Sequence, residues 1–302
     1  MQRKLIIGTR GSPLALYQAN IVKSLLGSDS EVKIFKTSGD KLKGDLKDFG
    51  GKGLFTKELE DALMDGRIDM AVHSMKDVPT IGQDSLMIGA VLEREDPRDA
   101  FISHKVKRLM DLPHGATVGT ASIRRRAQLA ALRPDIKFAL LRGNVGTRLE
   151  KLKSGACDAT FLACAGLKRL GQEEVITEAI EGDIMLSAPA QGAIGVEIRK
   201  TDIEVQKAVA PLNHRPTELA ITAERAFLTA LDGSCRTPIA ALARLDDDIL
   251  SFSGEVISKD GSLRFFRYSQ ILCGTREEAL AMGYSLGLEI RAEIGDRVIW
   301  DE

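Results

Sequence analysis

Long apolar runs are missing from this chain. No stretch approaches the roughly 20 residues that a membrane-spanning helix needs. The start carries Arg3 and Lys4 but only Leu5, Ile6 and Ile7 as strongly apolar residues before polarity returns, too short for a secretory signal. A basic excess is also missing. A formal net charge of −1 argues against a general nucleic-acid binder, and aromatics at 5% are too few for a base-stacking platform. None of the 4 cysteines forms a C-x-x-C pair, which excludes the common zinc and redox motifs and suggests a reducing compartment. The expectation is a cytoplasmic protein with no membrane and no nucleic-acid partner. What is present is ordinary: 302 residues, 44% hydrophobic and 28% charged, enough for two or three globular domains.

The order of elements repeats. Leu5–Ile7 reads as a short strand, Gly8–Gly11 as a turn, Ser12 as a helix N-cap and Pro13 as the first helical residue. A strand at Val32–Phe35, a helix over Leu54–Met64, and Gly66-Arg67-Ile68-Asp69 leading into the strand Met70–Val72 follow. The same order returns with Val118-Gly119-Thr120-Ala121-Ser122, a strand at Phe138–Leu141, a helix around Leu149–Leu152, and Gly155-Ala156-Cys157-Asp158 before Ala159–Ala163. Two similar α/β lobes predict a ligand cleft between them. From Thr217 the pattern changes to a helix over Leu219–Leu231, strands at Ile239–Leu245, Ile249–Ile257 and Leu263–Leu272 with a tight hairpin at Asp260-Gly261, and a helix over 276–294. This predicts a small antiparallel α+β domain.

Cation placement is uneven. Arg124, Arg125, Arg126, Arg133, Lys137, Arg142 and Arg148 crowd the second lobe, and between residues 117 and 148 the only acid is Asp135. Arg124 and Arg125 fall at a helix start, where backbone N–H groups also favour anions. Arg142 and Arg148 fall after a strand, on the ligand side of an α/β sheet, and the guanidinium fork suits carboxylate or phosphate. A solvated helix face is the plainer reading of any single arginine. Asp77 follows directly on a strand, where a carboxylate can steady a cation or move a proton. Asp40–Gly53, with four glycines and four lysines, has the composition of a mobile basic lid. Cys235 sits on a turn, between Gly233 and Pro238 and beside Arg236, where a thiol is accessible and thiolate is favoured. Cys157, Cys164 and Cys273 lie in runs that read as packing positions.

These motifs, taken in order, resemble porphobilinogen deaminase (hydroxymethylbilane synthase) over nearly the whole chain. The carrying stretches are Thr9–Leu16, Gly51–Phe55, His73–Thr80, Gly119–Arg125, Leu141–Arg148, Ala165–Leu170, Gln191–Ala193 and Gly233–Cys235. The resemblance implies two lobes similar to the type II solute-binding fold plus a small C-terminal α+β domain with a three-stranded antiparallel sheet. The boundaries it suggests are 1–95 with 192–214, 98–190 and 216–302. It implies a dipyrromethane cofactor joined by a thioether to Cys235 and a catalytic Asp77. The carboxylate-binding set falls on Arg10, Ser12, Ser74, Lys76, Ser122, Arg124, Arg125, Arg142, Arg148, Arg169 and Gln191, with Lys52 on the lid. The implied substrate is porphobilinogen, four of which are joined with loss of ammonia. The implied product is a linear tetrapyrrole, handed to uroporphyrinogen-III synthase by a monomeric enzyme. Ser234 and Ala121 depart from the common glycine and serine, the first on the cysteine loop and the second at the place of one hydroxyl contact. An effector-sensing or solute-binding protein for an anionic ligand is the alternative, and the loop cysteine and third domain argue against it.

Overall fold

The computed structural model describes residues 4–27, 30–38, 55–232 and 237–295. Its contacts divide into two units, residues 1–94 with 193–218 and residues 95–192 with 219–302. The first unit holds β1 (Leu5–Arg10), α1 (Pro13–Leu26), β2 (Ser30–Phe35), α2 (Lys57–Met64), β3 (Met70–Ser74) and β4 (Leu86–Val91). β10 (Ile194–Arg199) and α6 (Ile203–Val209) complete it. Its sheet runs β2-β1-β3-β10-β4, with β1 parallel to both neighbours and β10 antiparallel to both of its own. Ile7, Met70, Val72 and Val196 bury the sheet against Ala19 and Val22 of α1.

The second unit repeats this plan. β5 (Asp99–Ser103), β6 (Thr117–Gly119), α3 (Ile123–Leu132), β7 (Lys137–Ala139), α4 (Val145–Lys153), β8 (Ala159–Ala163), α5 (Cys164–Arg169) and β9 (Glu178–Ile180) give a sheet of order β7-β6-β8-β5-β9. Again the first three strands are parallel and the fourth is antiparallel to its neighbours. The strand expected to reach Leu141 stops at Ala139, because its partner β6 ends at Gly119 and the chain turns into α3.

The Gly-x-x-Asp repeat has one structural job in both copies. Gly66 and Gly155 take φ of +71° and +80° just after α2 and α4, a backbone state that glycine enters at little cost. Three residues on, the Asp69 carboxylate accepts from Ile6 N at 2.8 Å and the Asp158 carboxylate from Thr117 N at 2.7 Å. Each aspartate thus caps the strand that precedes the serine-capped helix of its own repeat, β1 and β6.

α7 (Arg215–Ala230) continues from the first unit into the second and leads to β11 (Ile239–Asp246), β12 (Ile249–Ile257), β13 (Arg264–Leu272) and α8 (Arg276–Ile294). The three strands form an antiparallel sheet in chain order. Phe227 and Phe252, 5.2 Å apart, anchor the core between sheet and helices. The expected tight hairpin at Asp260-Gly261 is a longer loop closed by Ser258 N donating to Leu263 O at 2.9 Å, with Asp260 accepting from Ser262 N.

Candidate active site

In the first unit, β1 ends on Arg10, and Ser12 then caps α1 by accepting from Ala15 N. The Arg10 guanidinium lies 4.2 Å from the centre of the Phe55 ring. β3 delivers Ser74, whose hydroxyl meets the Gln18 amide at 2.8 Å, and then a 3-10 turn, Met75–Asp77. Two contacts fix this turn: Met75 N donates to Ala193 O at 3.0 Å, and the Met75 side chain occupies space that only a glycine at 195 leaves open. Lys76 is half-buried and Asp77 is exposed. Among the described residues the Asp77 carboxylate makes no hydrogen bond or ion pair. Arg10, Ser12, Phe55, His73, Ser74 and Asp77 line one small cavity of about 60 Å³. Beneath it, His73 Nε2 is 3.1 Å from Glu197 Oε2, both buried.

In the second unit, Ser122 caps α3, and Arg124 and Arg125 follow on its first turn. The sequence suggests cations at a helix start that are short of local acids. The structure corrects this: both are buried, and Asp99 at the start of β5, itself fully buried, supplies the acid. Arg124 Nη1 is 2.8 Å from Asp99 Oδ2, and Arg125 Nη2 donates to Asp99 Oδ1 at 2.7 Å. Arg125 also donates to Phe161 O, and Arg124 to Leu186 O, each at 2.7 Å. Gln191 is buried and donates to the same Asp99 Oδ1 at 2.9 Å. Arg169, at the end of α5 and buried, donates to Gly192 O at 2.6 Å. Arg142 is half-buried after β7, and Arg148 on α4 donates to Gly143 O at 2.7 Å. Arg126 is exposed over the Phe138 ring, and Arg133 is tied to Asp135, so neither joins the buried group. Lys52, with the whole Asp40–Gly53 segment expected as a lid, and Cys235 lie outside the described residues.

Burial alone raises the Asp99 carboxyl, but Arg124 and Arg125 beside it hold it well below the usual carboxylate range. Burial disfavours the Arg124 charge and Asp99 opposes that effect; an arginine starts so high that it stays charged. A depressed carboxyl contributes stability that is present above its unfolded-state value, about pH 4, and lost as pH falls through the folded value. Asp99→Asn strands two buried guanidinium groups and is expected to cost about 3–5 kcal/mol. Its stability is also expected to fall less steeply than that of the wild type below about pH 4, since the titrating group is gone. Denaturant titrations across that range check both effects. Unchanged stability at neutral pH would remove Asp99 as the anchor of the cluster.

Sequence reasoning missed Asp99, Glu255 and Glu224. Glu255, fully buried on β12, accepts from Gln128 of α3 and from Arg264. The cluster therefore holds two arginines against Asp99, with Glu255 matched by Arg264, and one positive charge is in surplus. Arg124 Nε is buried with no hydrogen-bond partner among the described residues. That donor and that surplus charge fit a ligand carboxylate.

A family model described as "Porphobilinogen deaminase, dipyromethane cofactor binding domain" matches residues 5–207, and one described as "Porphobilinogen deaminase, C-terminal domain" matches residues 218–292. A porphobilinogen deaminase of Paracoccus denitrificans is 48% identical over 304 residues, covering 98% of this chain and 95% of the relative. One from Nitrobacter hamburgensis is 48% identical over 299 residues, covering 96% and 94%. Among solved structures, a nutrient binding protein from Burkholderia cenocepacia bound to methionine aligns with a TM-score of 0.42 at 16% identity, over 68% of this chain and 90% of that one. With the matched segments taking in both units and the relatives covering almost every residue, the chain belongs to the porphobilinogen deaminase family.

Proposed function

We propose that the chain is a transferase that condenses four porphobilinogen molecules head to tail, losing ammonia at each joining, and then releases the linear tetrapyrrole hydroxymethylbilane by hydrolysis. The observation that carries this reading is the family membership over both matched segments. A dipyrromethane, held by a thioether to Cys235, supplies when bound the pyrrole carbon to which the first unit is joined. At each coupling the C–N bond to the leaving ammonia breaks, a C–C bond forms and the attacked ring loses a proton. Asp77 steadies the cation left on the incoming pyrrole and takes up or relays that proton. Its exposure, and its place on one cavity with Arg10, Ser12 and Ser74, support that role.

Each ring adds two carboxylates, so a protein neutral overall must gather its cations. Arg10, Ser12, Lys52, Ser74, Lys76, Ser122, Arg124, Arg125, Arg142, Arg148, Arg169 and Gln191 are assigned to those carboxylates. Arg124 and Arg125 take the ligand charge that Asp99 leaves unmatched. Gln191 also holds Asp99 in place beneath the two arginines. The same reading divides the chain into domains 1–95 with 192–214, 98–190 and 216–302, and the family models, which part between residues 207 and 218, support the last boundary. It places a monomer in the cytoplasm and passes the product to uroporphyrinogen-III synthase. Among the described residues no helix is long and apolar enough to cross a membrane.

Intact mass tests the proposal. The purified protein is expected to exceed the 32.8 kDa chain by two linked pyrrole units and to colour with acidic aldehyde reagent. An unmodified mass in freshly purified protein that turns over porphobilinogen would overturn the covalent part of it.

A further inference from the structure

The segment Leu186–Gly192, which returns the chain toward β10, is seated on the groups just assigned to the ligand. Leu186 O accepts from Arg124 and from Gln128, Gly192 O accepts from Arg169, and Gln191 reaches Asp99. Its own conformation is unusual. Ala190 is not a glycine yet has φ of +60°, in the left-handed region that costs an alanine about 1 kcal/mol or more. Something must hold it there. Ser187 O accepts from Ala241 N of β11 at 3.1 Å, which ties the segment's start to the C-terminal sheet. The hold at Ala190 itself is Glu224, fully buried on α7. One of its oxygens accepts from Ala190 N at 2.5 Å and the other from Ala243 N of β11 at 2.7 Å.

We propose that Glu224 is a positioning residue for the reaction: by bridging Ala190 and Ala243 it fixes the Leu186–Gly192 segment on which Arg124, Arg169 and Gln191 are set. Two amides pointing at one buried carboxylate make a specific clamp, because no neutral side chain of that size offers two acceptors without also bringing donors. With the clamp gone, Ala190 relaxes toward negative φ, and the carbonyls of Leu186 and Gly192 move with it. The guanidinium groups that donate to them lose their orientation. Glu224 touches no ligand in this account; it acts through the segment. The inference rests on the carboxylate-binding roles proposed above.

The experiment compares Glu224→Gln, Ala190→Gly and the double variant in the full chain, reading thermal unfolding, kcat, KM and the intact mass of enzyme stalled with limiting porphobilinogen. Ala190→Gly is expected to behave as the wild type, since glycine accepts this φ freely. Glu224→Gln faces an amide NH2 toward a backbone N–H. It is expected to unfold at lower temperature and, where it is still folded, to show kcat reduced about 10- to 100-fold with chains stalled short of full length. The double variant is expected to regain much of the unfolding temperature but not kcat. Recovery of wild-type kcat in the double variant would show that Glu224 only relieves strain, and normal kcat in folded Glu224→Gln would overturn the inference directly. The wild-type sample controls for the underlying reading: if it lacks the two-pyrrole mass, the proposed function fails whatever Glu224 does.

Discussion

Cys235→Ser is expected to fold normally, to lack the two-pyrrole mass increment and to have no detectable turnover. A serine alkoxide is far harder to form near neutral pH than a thiolate, so the thioether has no replacement at that position. The stems on either side support normal folding. Asp232 N donates to Thr229 O at the end of α7, and Ile257 N donates to Pro238 O where β11 begins. The other thiols cannot take over. Cys157, Cys164 and Cys273 are all buried, and burial pushes Cys164 up to about 12 and raises Cys157 as well, which leaves almost no thiolate at neutral pH. Cys164→Ser is therefore expected to keep the added mass that Cys235→Ser loses. Intact mass and a turnover assay on the two variants decide the matter. An adduct retained by Cys235→Ser would move the attachment to another residue.

The parts of this molecule that were legible in the sequence are those written locally. Ser12 and Ser122 announce helix starts, and each caps its helix as read. The Gly-x-x-Asp motifs mark two equivalent corners because the aspartate that caps β1 or β6 sits three residues from the glycine that ends the preceding helix. Asp77 reads as a polar residue just past a strand, and it closes the 3-10 turn that follows β3. The illegible parts are made by distance along the chain. β10 enters the first sheet beside β3 from more than a hundred residues away, as the Ile194–Ser74 pairing shows, and no local pattern announces it. Asp99 lies in the run Glu95-Asp96-Pro97-Arg98-Asp99, which reads as a solvated turn, and only the β5–β8 pairing carries it under Arg124 and Arg125. The arginine excess between residues 117 and 148 was real as composition but was partly cancelled by an acid outside that window. Glu224 reads as one charge on an amphipathic helix until Ala190 and Ala243 are seen to point their amides at it.

Asp77→Ala is expected to lower the rate of chain elongation by about 10²- to 10⁴-fold, the usual cost of removing a positioned acid–base group. Stability should change by less than about 0.5 kcal/mol, because the residue is exposed and its carboxylate holds no partner among the described residues. The turn itself does not depend on that side chain. Met75 anchors it through Ala193 O and the space at Gly195, and Val78 N closes it on Met75 O. The variant therefore separates chemistry from folding. Asp77→Asn keeps shape and one acceptor but no charge, so it is expected to fall nearly as far as alanine if stabilising a cation is the main task. Asp77→Glu keeps the charge on a longer arm and is expected to retain measurable turnover. Cofactor loading should survive in all three, read as the two-pyrrole mass on the resting protein, while mass spectra after addition of porphobilinogen should show few or no added units in the alanine and asparagine variants. If Asp77→Ala kept more than about a tenth of the wild-type rate, well above the range for such a group, the proton-handling and cation-stabilising role would have to pass to another residue lining the same cavity, with His73 over its buried Glu197 the first to test.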